Sequence, residues 1–156
     1  MITTTTSTPI FVYGTLRPGQ INYPLIRSAV AGHVTARLDS HVLRAAPTAR
    51  YPYAIEGGSD SLTGDLLQLK PRTEAAVLAR LDVLEGYDPR AFLLEMSHYV
   101  RVRRIVTTAA QSPAGPVGTA VEAWVYLAGP ATPVSELPMV AGGDWTTRST
   151  FDPRWS

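Results

Sequence analysis

Cysteine is absent from the 156 residues, which excludes disulfides, thiolate nucleophiles and thiolate metal sites. Lysine is nearly absent too: 13 of the 14 basic residues are arginine. Neither sign of charge is in excess. With a formal net charge of +1, neither nucleic acid nor an anionic membrane is expected as a partner. The densest basic patch, Arg101-Val102-Arg103-Arg104, alternates and is expected on the wet side of a strand. No apolar run approaches the ~20 residues that a membrane span needs. The opening Met1 to Thr8 lacks both the basic stretch and the apolar core of a signal peptide, so a soluble cytoplasmic protein is expected. His33, His41 and His98 have no ligand-like spacing, and no metal site is expected. Serines in a G-x-S-x-G setting are missing. So are the P-loop and the three-glycine dinucleotide fingerprint, which disfavours nucleotide binding.

What is present is an ordinary globular composition, 45% apolar, in a chain long enough to bury a real core. A threonine-rich lead, residues 1–9, is expected to be disordered, and residues 10–156 to form one domain. Ile10-Phe11-Val12-Tyr13 is an apolar run stopped by Gly14, which predicts a buried first strand. Asn22-Tyr23-Pro24-Leu25-Ile26 is expected to open a short helical turn, with Asn22 as cap. Val34, Ala36 and Leu38 alternate with polar neighbours, and Val42 and Leu43 resume after Asp39-Ser40. Tyr51 to Ile55 reads as an edge strand, because Pro52 cannot donate to a ladder. Glu56 to Asp60 reads as a turn, and Gly64 to Leu69 as a strand. Val77, Leu78, Leu81 and Leu84 fall on one helical face, with Thr73 or a neighbour as cap. Gly86 sets the end of that helix at Glu85. Tyr99 to Val106 and Val121 to Leu127 are partner strands across the turn at residues 111–118. About six short strands joined by turns, with one clear helix, predict an α+β fold. Its core is a small, mostly antiparallel β-barrel with flanking helices.

Two segments have the makings of chemistry. Glu85 ends its helix at the negative pole of the macrodipole, which disfavours the charged carboxylate. Asp82, three residues earlier, pushes the same way if ionised, as would burial. A raised pKa suits a group that takes and returns a proton near neutral pH. On spacing alone, the plainer reading of Glu85 as a solvated glutamate at a helix end is favoured. In Tyr13-Gly14-Thr15-Leu16, a strand running into a glycine turn gathers backbone N–H groups on one side, a nest for a carboxylate or phosphate oxygen. The aromatics Trp124 and Tyr126 read first as packing, and so does Gly142-Gly143-Asp144-Trp145.

The order and spacing of Phe11-Val12-Tyr13-Gly14-Thr15-Leu16-Arg17, Gly64-Asp65-Leu66-Leu67, Leu81-Asp82-Val83-Leu84-Glu85-Gly86-Tyr87, Tyr99-Val100-Arg101, Ala123-Trp124-Val125-Tyr126 and Gly143-Asp144-Trp145 resemble the γ-glutamylcyclotransferase-like family. That family includes γ-glutamylamine cyclotransferases and AIG2-like proteins. The resemblance implies a small β-barrel with a cavity at its mouth and no metal or cofactor. It implies Glu85 as the acid/base and Tyr13, Gly14, Thr15 and Leu16 as the loop holding a γ-glutamyl group. Tyr99 and Tyr126 are placed by it near the substrate. The implied reaction cyclises a γ-glutamyl amide or amine to 5-oxoproline; the alternative is a non-catalytic small-molecule-binding or regulatory module. The loop after Glu85 carries Phe92, Leu93, Leu94 and Met96, which either line a leaving-group site or pack. The leaving group, the pathway and the oligomeric state are not specified by the sequence.

Overall fold

The computed structural model describes residues 7–45, 52–85, 99–129 and 137–145. Tyr51, Gly86, His98 and the 88–98 loop, with its candidate leaving-group residues, lie outside the described residues. Of the threonine-rich lead, residues 1–6 also lie outside. Its end is tied down: the Thr8 N–H donates to Glu74 Oε1 at 3.0 Å, and the Pro9 carbonyl accepts the Trp124 N–H at 2.9 Å.

Five strands close into a barrel in the order β1-β3-β2-β4-β5. They are β1 (Ile10–Val12), β2 (Val30–Ala45), β3 (Pro52–Leu69), β4 (Tyr99–Thr108) and β5 (Ala120–Ala128); among the described residues one α-helix, α1 (Glu74–Glu85), lies between β3 and β4. All pairings are antiparallel except the seam, where Ile10 of β1 meets Trp124 of β5 in parallel.

The strand count is lower than the sequence predicts because two apparent breaks are irregularities inside long strands. Asp39-Ser40 does not end β2. Ser40 has φ 61°, and the inward-facing set changes there from Val34, Ala36 and Leu38 to His41, Leu43 and Ala45. An inserted residue flips side-chain parity, as a bulge must. Opposite it, pairing jumps from Asp39↔Ser61 to His41↔Glu56. Residues 57–60 bow out of the ladder there, with Gly57 and Gly58 at positive φ, and the predicted turn is this excursion within β3. Pro52 pairs with Ala45 at the end of the β2–β3 ladder. Since β1 pairs with β3 only at Asp65 to Leu67 among the described residues, the stretch from Pro52 to Glu56 is a local edge within a strand that is central elsewhere.

Alternation along β1 sorts the core into two parts. Phe11 points into the barrel with Val34, Leu38, Leu62, Val106 and Val125, and Trp145 (1% exposed) joins that interior cluster. Ile10 and Val12 point outward, onto Val77, Leu78 and Leu81 of α1. The short strand is thus buried on both faces. The helix departs from its predicted face at one place: Leu84 is 40% exposed, and the fourth buried position is Asp82. Thr73 does precede α1, but its hydroxyl donates back to the Lys70 carbonyl at 2.7 Å.

Close packing between β1 and β3 depends on Gly64. A Cβ there would run into the Val12 carbonyl oxygen and lie 2.7 Å from Cζ of Phe11. The carbonyl belongs to the barrel wall and the Phe11 ring is packed in the barrel interior, so neither can readily give way. Gly64→Ala is therefore expected to lower the unfolding free energy by ~1–3 kcal/mol, read as a lower urea midpoint with an unchanged slope.

Candidate active site

β1 delivers Tyr13 to the barrel mouth, and the chain turns at once. The Arg17 N–H closes the turn on the Gly14 carbonyl at 3.1 Å. Gly14 is required here by a close approach: a Cβ would lie 2.7 Å from Cγ and Cδ of Pro52. Asn22 does not cap the short turn over Tyr23–Leu25 as predicted. It binds the loop instead, N–H to the Thr15 carbonyl at 2.9 Å and Nδ2 to Thr15 Oγ1 at 2.9 Å.

At the other end Arg17 is held in a fork. Its Nε meets Asp65 Oδ2 at 2.7 Å and its Nη1 meets Asp144 Oδ1 at 2.9 Å. The loop is thereby fixed before any ligand arrives. Among the described residues, the N–H groups of Thr15 and Leu16 donate to no protein acceptor. Such N–H groups suit an anion.

A pocket of about 380 Å³ of open space lies at this loop. Tyr13, Gly14, Thr15, Leu16, Glu85, Tyr99 and Tyr126 all line it, together with Phe11, Val12 and Pro52. All seven residues singled out from the sequence therefore meet in one cavity. Glu85 arrives from the last position of α1, Tyr99 from the start of β4 and Tyr126 from β5. Tyr99 stacks on Tyr53 with ring centroids 4.6 Å apart, and its hydroxyl donates to the Pro52 carbonyl at 2.8 Å. The Tyr13 hydroxyl donates to the Tyr126 carbonyl, pinning the loop residue to the opposite strand.

Burial pushes the Glu85 carboxyl up to about 7. The sequence also expects Asp82 to raise it, but Asp82 is occupied elsewhere. Its Oδ1 accepts the Tyr126 hydroxyl at 2.6 Å and faces Arg101 Nε at 3.3 Å. Desolvation therefore accounts for the shift. Burial also raises the Tyr13 phenol, with the nearby Glu85 charge adding to it. Tyr126 is raised first by burial, then by its hydrogen bond to Asp82, with Glu85 adding a smaller push. The Glu85 carboxyl is thus close enough to be felt by both tyrosines.

Arg101 corrects the reading of its patch as a wet strand face. It is 16% exposed, lies over the Trp124 ring at 4.7 Å and pairs with Asp82. Arg103, 53% exposed and paired with Glu122, fits the wet side. Sequence reasoning misses Arg17, Asp65, Asp144, Asp82 and Arg101 as site supports. A signal was available, since each belongs to a segment already singled out. Nothing in sequence spacing shows that they pair with one another.

A model of the family described as gamma-glutamyl cyclotransferase, AIG2-like, matches residues 10–147. No curated protein is matched. Among solved structures, an AIG2-like protein from Mus musculus is similar at 24% identity and TM-score 0.63, covering 85% of this chain and 84% of that one. An uncharacterized protein from Pyrococcus horikoshii is similar at 20% identity and TM-score 0.56, with 89% and 90% covered. A structure named gamma-glutamyl cyclotransferase is similar at 16% identity and TM-score 0.50, with 86% and 72% covered. At these identities the structures speak for the shared fold. Among the described residues, no helix is long and apolar enough to cross a membrane.

Proposed function

For this chain, which belongs to the gamma-glutamyl cyclotransferase, AIG2-like family, we propose an enzyme that cyclises a γ-glutamyl amide or amine to 5-oxoproline and releases the amine. One observation carries the reading. A carboxyl group that titrates near 7 shares a pocket with a fixed loop of backbone N–H donors.

The roles follow from what each group can do. N–H groups around Thr15 and Leu16 hold the substrate's α-carboxylate or the oxyanion that forms at the γ-carbon. Glu85 takes one proton from the α-ammonium group. The freed amine attacks the γ-carbonyl carbon, forming the ring C–N bond. The bond to the leaving nitrogen then breaks as Glu85 returns a proton to it. A second proton given up by the ring nitrogen leaves with the amine as its ammonium form. Because nucleophile and electrophile belong to one molecule, the pocket need only hold the folded conformer. Tyr13, Tyr99 and Tyr126 wall it. No step calls on a metal or a cofactor.

The test is 5-oxoproline release from a panel of γ-glutamyl amines and peptides, followed against pH. Because the base must be ionised, kcat/KM is expected to rise with pH on an acid limb centred near 7, the value of the Glu85 carboxyl; it should plateau above that. A limb near 4.5 would mean that Glu85 is solvated in the working enzyme and is not the tuned base. Saturable binding of γ-glutamyl compounds without any turnover would instead identify a binding module.

A further inference from the structure

Each of the three tyrosines lining the pocket has its hydroxyl proton committed to the protein. Tyr13 donates to the Tyr126 carbonyl, Tyr99 to the Pro52 carbonyl, and Tyr126 to Asp82 Oδ1. A hydroxyl whose proton is engaged can still accept through its oxygen lone pairs. The Tyr13 oxygen already has a donor in the Ala54 backbone N–H. Among the described residues, the Tyr126 oxygen has none.

Tyr126 is only 4% exposed, yet lines the pocket with Glu85. The arrangement behind it is rigid. Arg101 stands directly opposite Tyr126 across the β4–β5 ladder. Its guanidinium is held over Trp124 and pairs with Asp82, which is itself a buried position of α1. A carboxylate fixed in this way, accepting a phenol proton at 2.6 Å, keeps that proton turned away from the cavity. It also makes the phenol oxygen a stronger acceptor, because hydrogen bonds in a chain polarise one another.

We propose that Asp82 is a positioning residue that turns the Tyr126 hydroxyl into an obligate acceptor, and that this oxygen receives an N–H of the substrate's α-ammonium group beside Glu85. The pocket then recognises both ends of an α-amino acid. The loop N–H groups take the carboxylate, and the Tyr126 oxygen and Glu85 take the ammonium. Selection for the free amine is built in, since an acylated or missing α-amino group leaves a buried acceptor without its donor. The proposal rests on the γ-glutamyl reading above.

Two uncleavable ligands isolate the contact: 2-amino-5-butoxypentanoate, in which a methylene replaces the γ-carbonyl, and its des-amino counterpart 5-butoxypentanoate. Calorimetric titration gives the preference of each protein for the amine. Wild type is expected to prefer it clearly. In Tyr126→Phe that preference should fall by roughly tenfold or more, the size of a lost bond to a charged group, while the des-amino ligand binds as well as before or better, since no acceptor is left unpaired. Asp82→Asn should act in the same direction, because the asparagine N–H can donate to the tyrosine oxygen and fill the acceptor. If Asp82→Asn does not fold, Tyr126→Phe still decides.

A preference unchanged in Tyr126→Phe, or absent in wild type, would overturn the proposal. Parallel assays of 5-oxoproline release keep the two readings apart. No release from any substrate, with the amine preference intact, removes the cyclotransferase and leaves the ammonium site. Release with a preference indifferent to Tyr126 does the reverse.

Discussion

Glu85→Gln is expected to lose 5-oxoproline release by ~10²–10⁴-fold, the usual contribution of a positioned acid/base, with little change in far-UV circular dichroism. Glutamine keeps the shape of the side chain and its place at the end of α1 but can neither take nor return a proton. Stability should move the other way, and with pH. In the unfolded chain the carboxyl titrates near 4.5; in the folded protein burial holds it at about 7. The folded state therefore binds the proton more tightly. The associated stability is fully present below pH 4.5 and is lost as pH rises through 7. Removing the ionisable group removes that loss. Glu85→Gln should gain on wild type by on the order of 2 kcal/mol between pH 5 and pH 8.5, measured by urea unfolding at each pH. A variant that loses activity and shows no such gain would point to a solvated Glu85 with a different role.

Arg17→Ala is expected to destabilise the fold by ~3–5 kcal/mol. Arg17 and Asp65 are each 11% exposed and Asp144 is 20% exposed, so two largely buried carboxylates would lose the cation they share. Lysine should not rescue the loss. Its single ammonium cannot reproduce a fork that meets one carboxylate through Nε and the other through Nη1. Chemical denaturation of wild type, Arg17→Ala and Arg17→Lys makes the comparison, and an Arg17→Ala loss below ~1 kcal/mol would place the fork in the weak class of surface ion pairs. Any residual folded Arg17→Ala should also bind γ-glutamyl ligands poorly, because the loop carrying the Thr15 and Leu16 N–H groups is tied to Asp65 and Asp144 through the Arg17 side chain.

The sequence makes the barrel legible because alternation and glycine breaks are local signals. The strands expected at Ile10 to Tyr13, Tyr99 to Val106 and Val121 to Leu127 are found within one or two residues, at Ile10–Val12, Tyr99–Thr108 and Ala120–Ala128. The strand count fails at Ser40 and at residues 57–60, where a bulge and a strand end look alike in one dimension. Both show polar, turn-forming residues between apolar ones, and only the partner strand shows that pairing resumes. Among the site residues, Glu85 and the Tyr13–Leu16 loop stand out through their order along the chain. The charges around them do not. Asp82 looks like one more face of a helix, and Arg101 like one more exposed arginine on a strand. Their meeting at Tyr126 depends on the β4–β5 register and on how α1 lies against the barrel, and neither is written in spacing. A raised Glu85 carboxyl is expected from dipole, neighbouring charge and burial alike, and the structure attributes it to burial, whose extent depends on the tertiary surroundings.

The seam of the barrel has one last consequence. β1 is three residues long, and the candidate site hangs from its end. That end is anchored to remote chain: Tyr13 to Tyr126, 113 positions away, and Arg17 to Asp144, 127 positions away. Such long-range closures come at the full entropic expense of a large loop. A nascent or truncated chain without Asp144 lacks one arm of the fork that holds the loop. The loop at the end of β1 is thus fully held only once residues 127 positions apart have met.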